Sequence, residues 1–353
     1  MRIDFTAFEC ISQTYRIVAM PLVRRSLCLA LLMSALLPAG GWGQATASTT
    51  LRVDVENAVN YLEDRADVTR LGTDTHATSP APLKAFERLT QIADIVAVNG
   101  KPAKGTLLAN SLNLTLKPAP SAGQSLADIT RNGIGHWTFE FLQPDGTQLG
   151  TIFLVSLNGG TPPPGAPSLS GAGSFTVVGG TGAFLGARGQ AGAILPQTIA
   201  PRAASVTEDP SLRRTIGGGK ISFVIRIIAQ ELPEIIATAN GPAVVHTSTN
   251  QLVTTTNPAH AGEELTLYAT GLGPVKGVEV GQPFPASPAP VIAPVEIAVN
   301  GSAATVSYAG GYPGTLDGYQ VNFALPSGIA SGLANLQLSA AWIQGSAVAL
   351  AVQ

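Results

Sequence analysis

Hydrophobic and polar residues alternate with a period of two along most of this chain, and the alternating runs are short and separated by glycine, proline and asparagine. Trp137, Phe139 and Phe141 alternate with His136, Thr138 and Glu140. Pro144-Asp145-Gly146-Thr147 then supplies a turn, and Thr151 to Leu157 returns as a more uniformly apolar strand. The run Ile92 to Val98 ends at Asn99-Gly100, a pair that tolerates positive φ and marks a hairpin. After it, Leu112, Leu114 and Leu116 fall on one strand face and Asn113 and Thr115 on the other, the pattern of a half-buried strand with its leucines inward. Ile221 to Ile228 is a further strand, preceded by Gly217-Gly218-Gly219. Six to eight such runs are enough to close a small barrel that holds side chains or one ligand.

Two N-terminal stretches read differently. Leu51 to Val55 alternates as a short strand, whereas Val59, Leu62 and Ala66 within Glu56 to Val68 have helical spacing. Leu83 to Leu89 reads as a helical turn or a lead-in to the barrel. Beyond Pro233 the strand pattern resumes with Glu234 to Ala237, Leu252 to Thr256, Glu264 to Thr270 and Val295 to Val299. Asn300-Gly301 makes a second hairpin signal into Ala304 to Tyr308, and Tyr319 to Phe323 and Leu336 to Ala340 complete the set. Strands of this length and spacing describe an immunoglobulin-like β-sandwich without its disulfide.

The segment from Gly173 to Gly189 organises the first half. Phe175 and Val177 alternate with Ser174 and Thr176, Gly179-Gly180-Thr181-Gly182 breaks the run, and Ala183-Phe184-Leu185 follows, giving strand, glycine turn, strand. A dinucleotide loop would need a helix next. Gly186, Gly189, Gly192 and Pro196 stand there instead and oppose one. The glycines then serve as a hairpin or barrel corner. Gly179, Gly180, Thr181, Gly182, Phe184 and the Ala187-Arg188-Gly189 end also resemble the signature of the dirigent and allene-oxide-cyclase-like barrels. That resemblance implies an eight-stranded antiparallel barrel whose cavity guides a reactive species past polar residues, and it maps an arginine of the motif onto Arg188. The family's aspartates have no match in this chain.

The second half carries a resemblance of its own. Pro258 to Glu263, Tyr268 to Pro274, Gly281-Gln282-Pro283, Val299-Asn300-Gly301 and Gly318 to Phe323 are similar to the Ig-like C-terminal domain of large secreted proteins of soil bacteria. It implies an extracellular accessory role and no catalytic residues. The expected fold class is therefore all-β, a small antiparallel β-barrel of the allene-oxide-cyclase/dirigent type followed by a C-terminal immunoglobulin-like β-sandwich. The expected boundaries are a leader at 1–45, a lead-in at 46–90, the barrel at 91–230 and the sandwich at 231–353.

Composition changes the picture mainly at the N-terminus. Arg24 and Arg25 precede an apolar run from Leu27 to Leu37, and Gly43-Gln44-Ala45 offers the small residues a signal peptidase reads. The run is about half the roughly 20 residues of a membrane span. A cleaved secretory signal is expected, with Met20 as an alternative start and a secreted, extracellular or periplasmic destination. Both cysteines, Cys10 and Cys28, lie in that leader, so the remaining chain relies on burial rather than disulfides. Four of the 20 basic and two of the 22 acidic residues also lie there, which leaves a net charge near −4. That balance argues against nucleic acid and against anionic membrane as partners.

Candidate chemistry is sparse. His136 and Glu140 share a strand face, and Asp128, Arg131 and Asp145 lie near its ends, so an acid/base group is conceivable there; the bland alternative is a solvated outer face. Arg188 either lines a cavity or pairs with an acid at the barrel rim. The ligand-binding candidates are Arg188, Asp128, His136 and Glu140. Nucleophile and zinc-protease motifs are absent, and histidines at 76, 136, 246 and 260 are too scattered for a metal site, so no cofactor or metal is expected. Three functions stand open: a secreted accessory protein whose barrel binds a small apolar or aromatic ligand, a structural or adhesion protein with a filled barrel, and a cyclase or dirigent-type isomerase working by confinement. The Ig-like module is expected to contact a surface or protein partner.

Overall fold

The computed structural model describes residues 48–64, 86–114, 133–158, 173–203, 209–215 and 217–353. The leader, Asp128, Arg131, His76 and the Thr161-Pro162-Pro163-Pro164 loop lie outside them. Among the described residues the chain is all-β, and residues 48–353 form one compact unit.

Eight antiparallel strands close a barrel. They are β1 (Thr49–Asp64), β2 (Phe86–Val98), β3 (Lys101–Leu114), β4 (Gly133–Leu142), β5 (Gln148–Asn158), β6 (Gly173–Gly182), β7 (Arg188–Thr198) and, after a short parallel strand β8 (Ala200–Ala203) laid along β1, β9 (Gly219–Ile228). Neighbours pair in sequence from β1 through β7; β9 pairs with β7 on one side and β1 on the other. Tracing partners from Leu89 through Ser111, Gly135, Ser156, Phe175, Ala191 and Ile225 leads to Leu51, which lies beyond the Val53 to Val98 pair rather than back at Leu89. That stagger is what closure of a twisted sheet demands.

The barrel takes in the whole of Thr49–Asp64, including residues whose spacing suggested a helix. A β-bulge at Asn57 and Ala58 interrupts the strand, with Asn57 at φ 53° and the register slipping between Glu56 and Val59. Beyond the bulge the period of two holds: Val59 and Tyr61 are buried and Leu62 is on the other face, so the spacing of Val59 and Leu62 joined residues of opposite faces. The glycine motif folds the chain back, but later than expected: Gly179 to Gly182 still pair with β5 as strand, and Ala183-Phe184-Leu185, read as the second strand, lies in the turn. Ala183 to Gly186 form the turn itself and the return strand begins at Arg188. Gly182 adopts φ 60°, which a side chain resists. At Gly189 an added Cβ would lie 1.9 Å from the Arg226 carbonyl oxygen, so the close β7 to β9 approach admits glycine alone.

A second, curled sheet follows. It is built mainly from β14 (Glu264–Thr270), β17 (Tyr319–Ala324), β16 (Ser302–Gly311), β15 (Val295–Val299) and β18 (Gly332–Ala340), with β10 (Glu234–Ile235), β13 (Val244–His246), β19 (Ile343–Gln344) and β20 (Val348–Val352) at its margins; β11 (Ala237–Thr238) and β12 (Gly241–Pro242) form a separate pair. β16 pairs with β17 at one side and β15 at the other, which bends the sheet around a core of Leu265, Leu267, Val321, Phe323, Leu336 and Leu338. Asn99-Gly100 and Asn300-Gly301 are both left-handed two-residue turns, as their sequences require. The turns after β2, β4 and β6 gather at one barrel end, and there the second sheet abuts it. Trp342 approaches Phe141 with ring centroids 5.8 Å apart, and Lys101 pairs with Glu296 and Lys276 with Asp145.

Candidate functional site

The inner face of the barrel is occupied by rings. Phe184 contacts Phe141 at 5.1 Å, Phe139 contacts Phe223 at 5.0 Å, and Trp137 contacts both Phe223 at 6.0 Å and Phe175 at 5.2 Å. The last three contacts are edge-to-face, the arrangement favoured by ring quadrupoles. Trp137 folds its indole over Gly135 and donates from Nε1 to Ser156 Oγ at 2.9 Å, so the donor of this half-buried ring is satisfied.

Those rings decide which face of β3 turns inward. Leu107, Ala109 and Ser111 pair with Phe139, Trp137 and Gly135, and all three are buried. Only small residues fit beside the indole. Leu112, which the sequence pattern placed inside, therefore faces outward together with Leu108, both about half exposed, while Leu116 lies outside the described residues.

The consequence is an apolar outer face. Register sets Leu112, Ile134 and Leu157 side by side on β3, β4 and β5, and Leu108 and Phe153 lie in a second row across Thr138, with Val178 beyond on β6. These side chains are 38% to 58% exposed. Together they leave on the order of 500 Å² of apolar surface bare, at the upper end for a monomer. His136 and Val155 lie between the rows, and Glu140 accepts from Gln148 Nε2 at 3.1 Å at the margin.

The candidates taken from sequence do not converge. His136 and Glu140 do share the outer face of β4, as their spacing indicated, and His136 is exposed. Arg188 is exposed at the start of β7, outside the barrel, since its neighbour Gly189 pairs with inward-facing Ile227. Asp128 lies outside the described residues.

Two polar groups missed by the sequence reading are prominent. Gln91, 2% exposed, pairs in register with Ala109, which in turn pairs with Trp137, on the inner wall. Its Nε2 donates to Asn60 Oδ1 at 2.7 Å while its Oε1, fully buried, has no partner among the described residues. An unpaired buried acceptor costs about 1–3 kcal/mol, which makes Gln91 the inner wall's polar anomaly. A lone glutamine in an apolar run was the only signal. The second is Asp94 on the outside, which receives Arg213 at 2.5 Å, Arg214 at 2.6 and 2.8 Å and Asn57 at 2.9 Å. Burial alone would raise its pKa, but these donors, Arg214 foremost, outweigh it and hold the carboxyl at about 2. The cluster staples the short 3-10 turn Pro210–Arg214 to the bulge of β1.

In the second sheet, His246 Nδ1 meets Glu263 Oε1 at 2.6 Å, and Glu263 Oε2 accepts the His260 amide at 2.9 Å. Burial opposes ionisation of Glu263, yet the His260 amide and His246 bring its pKa below the usual range. Tyr319 donates to the Gly273 carbonyl at 2.7 Å, and burial drives its phenol pKa up. Both arrangements lock turns of the Pro258 to Pro274 region. Among the described residues no group of three or more His, Cys, Asp or Glu could hold a metal ion. No family model matches this chain, and no curated protein or solved structure is significantly similar to it.

Proposed function

We propose that the chain is a secreted structural or adhesion protein in which the filled barrel is a rigid carrier and the outer face of β3 to β6 is the contact surface. The carrying observation is the pair of apolar rows, Leu112, Ile134, Leu157 and Leu108, Phe153, standing in solvent on a sheet whose inner side is already packed with rings. Stable protein contacts bury about 800 Å² per partner, which this patch approaches together with Asn110, His136 and Thr138, the polar residues set among its apolar rows. A second copy is the simplest partner, because like apolar faces pack without charge mismatch. Sedimentation of the full chain across concentrations tests this: association should disappear in Ile134→Asp with Leu157→Asp. A chain that stays monomeric and is not retained by apolar surfaces would refute it.

A second reading rests on Gln91. Its unpaired Oε1 on the inner wall, in register with Trp137 across β3, supports a small apolar or aromatic ligand carrying one donor, bound in the barrel. Native mass spectrometry of the exported protein, with Gln91→Leu as control, tests it. Kinship with the dirigent and allene-oxide-cyclase barrels belongs to this proposal; the closed antiparallel eight-stranded barrel and the β6 to β7 glycine corner support it. The Ig-like identity of the curled sheet, its role toward a surface or protein partner, and export by the 1–45 leader are proposed likewise. N-terminal sequencing of the exported chain should find a start near Thr46.

A further inference from the structure

Where the tight-turn end of the barrel meets the second sheet, a cleft of ≈ 480 Å³ opens between the two. Its walls are chiefly apolar: Pro102 from β3, Leu142 at the end of β4, Pro144 from the β4 to β5 turn, Leu149 from β5, Pro294 ahead of β15, and Trp342. Clefts of this size between structural modules are where small-molecule sites most often occur.

Trp342 is presented at a conformational cost. It and Ala341 form the two-residue turn between β18 and β19, with φ 63° and 47°. Elsewhere this chain fills such turns with Asn-Gly, the pair that tolerates them. Left-handed backbone at residues with a Cβ costs about 1–2 kcal/mol each. A tryptophan is therefore kept where asparagine or glycine would relax the chain, with one ring contact to Phe141. Strain of this kind points toward a functional constraint.

The charges on the rim do not cancel. Lys101 is paired with Glu296 at 2.5 Å. Asp145, next to Pro144, is engaged by Lys276 at 3.5 Å and by the Thr147 amide at 2.9 Å. Lys104 reaches only the Pro144 carbonyl, at 3.3 Å, and pairs with no carboxylate among the described residues. One ammonium is left over at the edge of an apolar cleft.

We propose that this cleft binds a small planar apolar monoanion, an aromatic carboxylate, with its ring against Trp342 and its carboxylate on Lys104. The site is separate from the barrel's inner wall and outer face. The test is titration of the full chain with 2-naphthoate and with its uncharged counterpart 2-naphthamide, by calorimetry. Naphthoate should bind the unaltered protein, and Lys104→Gln, an exposed substitution that keeps the fold, should weaken it about tenfold. Naphthamide should bind the unaltered protein no better than naphthoate binds Lys104→Gln. Trp342→Asn suits the turn and should abolish binding while far-UV circular dichroism stays unchanged. Gln91→Leu and Ile134→Asp should leave naphthoate affinity unaltered, which separates this site from the two readings above. No naphthoate binding up to its solubility limit, equal affinity in Lys104→Gln, or concentration-dependent self-association that Trp342→Asn removes would each overturn the proposal.

Discussion

Two leucines five residues apart on β3 offer the sharpest check on the barrel. Leu107 is fully buried, paired with Phe139 on the inner face, whereas Leu112 is 47% exposed on the outer one. Truncating Leu107 to alanine removes buried methyl groups beside closely packed rings and leaves a cavity, a loss of about 2.7–5 kcal/mol. Truncating Leu112 forfeits only the half of its surface that is sheltered and leaves no void, about 1 kcal/mol or less. At roughly 2–4 °C per kcal/mol for a unit of this size, Leu107→Ala should lower the melting temperature by about 5–20 °C and Leu112→Ala by a few degrees at most. Calorimetry at low protein concentration, where association contributes least, measures both. Near-UV circular dichroism should register disturbed ring packing for Leu107→Ala alone. A larger loss for Leu112→Ala would mean that β3 presents its other face to the interior, and the aromatic filling would have to be abandoned.

Other expectations follow from particular contacts. Because the Asp94 pKa is depressed from 3.8 to about 2, its contribution is present above pH 4 and is lost as pH falls toward 2; allowing for solvent screening it amounts to about 1–2 kcal/mol. Asp94→Asn should remove that acid-sensitive increment, and identical unfolding profiles for the two proteins between pH 5 and 2 would contradict the assignment. Gly189→Ala should destabilise by more than about 3 kcal/mol or prevent folding, because its Cβ would collide with the Arg226 carbonyl; soluble expression and melting temperature read this directly. Tyr319→Phe should cost about 1–1.5 kcal/mol through loss of the hydrogen bond to Gly273, measured by urea unfolding.

The inner-wall glutamine and the outer apolar rows escaped sequence reading for one reason. Both depend on which way a strand faces, and a period of two reveals two faces without saying which one meets the core. On β4 the answer was legible, since Trp137, Phe139 and Phe141 outbid His136, Thr138 and Glu140 for burial. On β3 the leucines looked like the buried set until the rings of β4 took the space beside them. Likewise Val59 and Leu62 in β1 fall at helical spacing although they lie on opposite strand faces, and the contact that anchors the neighbouring bulge, Asn57 to Asp94 with its two arginines, joins residues far apart along the chain.

Local chemistry alone determined the all-β class, the two Asn-Gly hairpins and the glycine fold-back after β6, because turn dihedrals and strand alternation are properties of adjacent residues. Tertiary structure decided the direction of β3, the outward placement of His136, Glu140 and Arg188, and the meeting of Trp342 with the end of the barrel. Those depend on how volumes and charges from distant strands divide a shared space, which no short window of sequence contains.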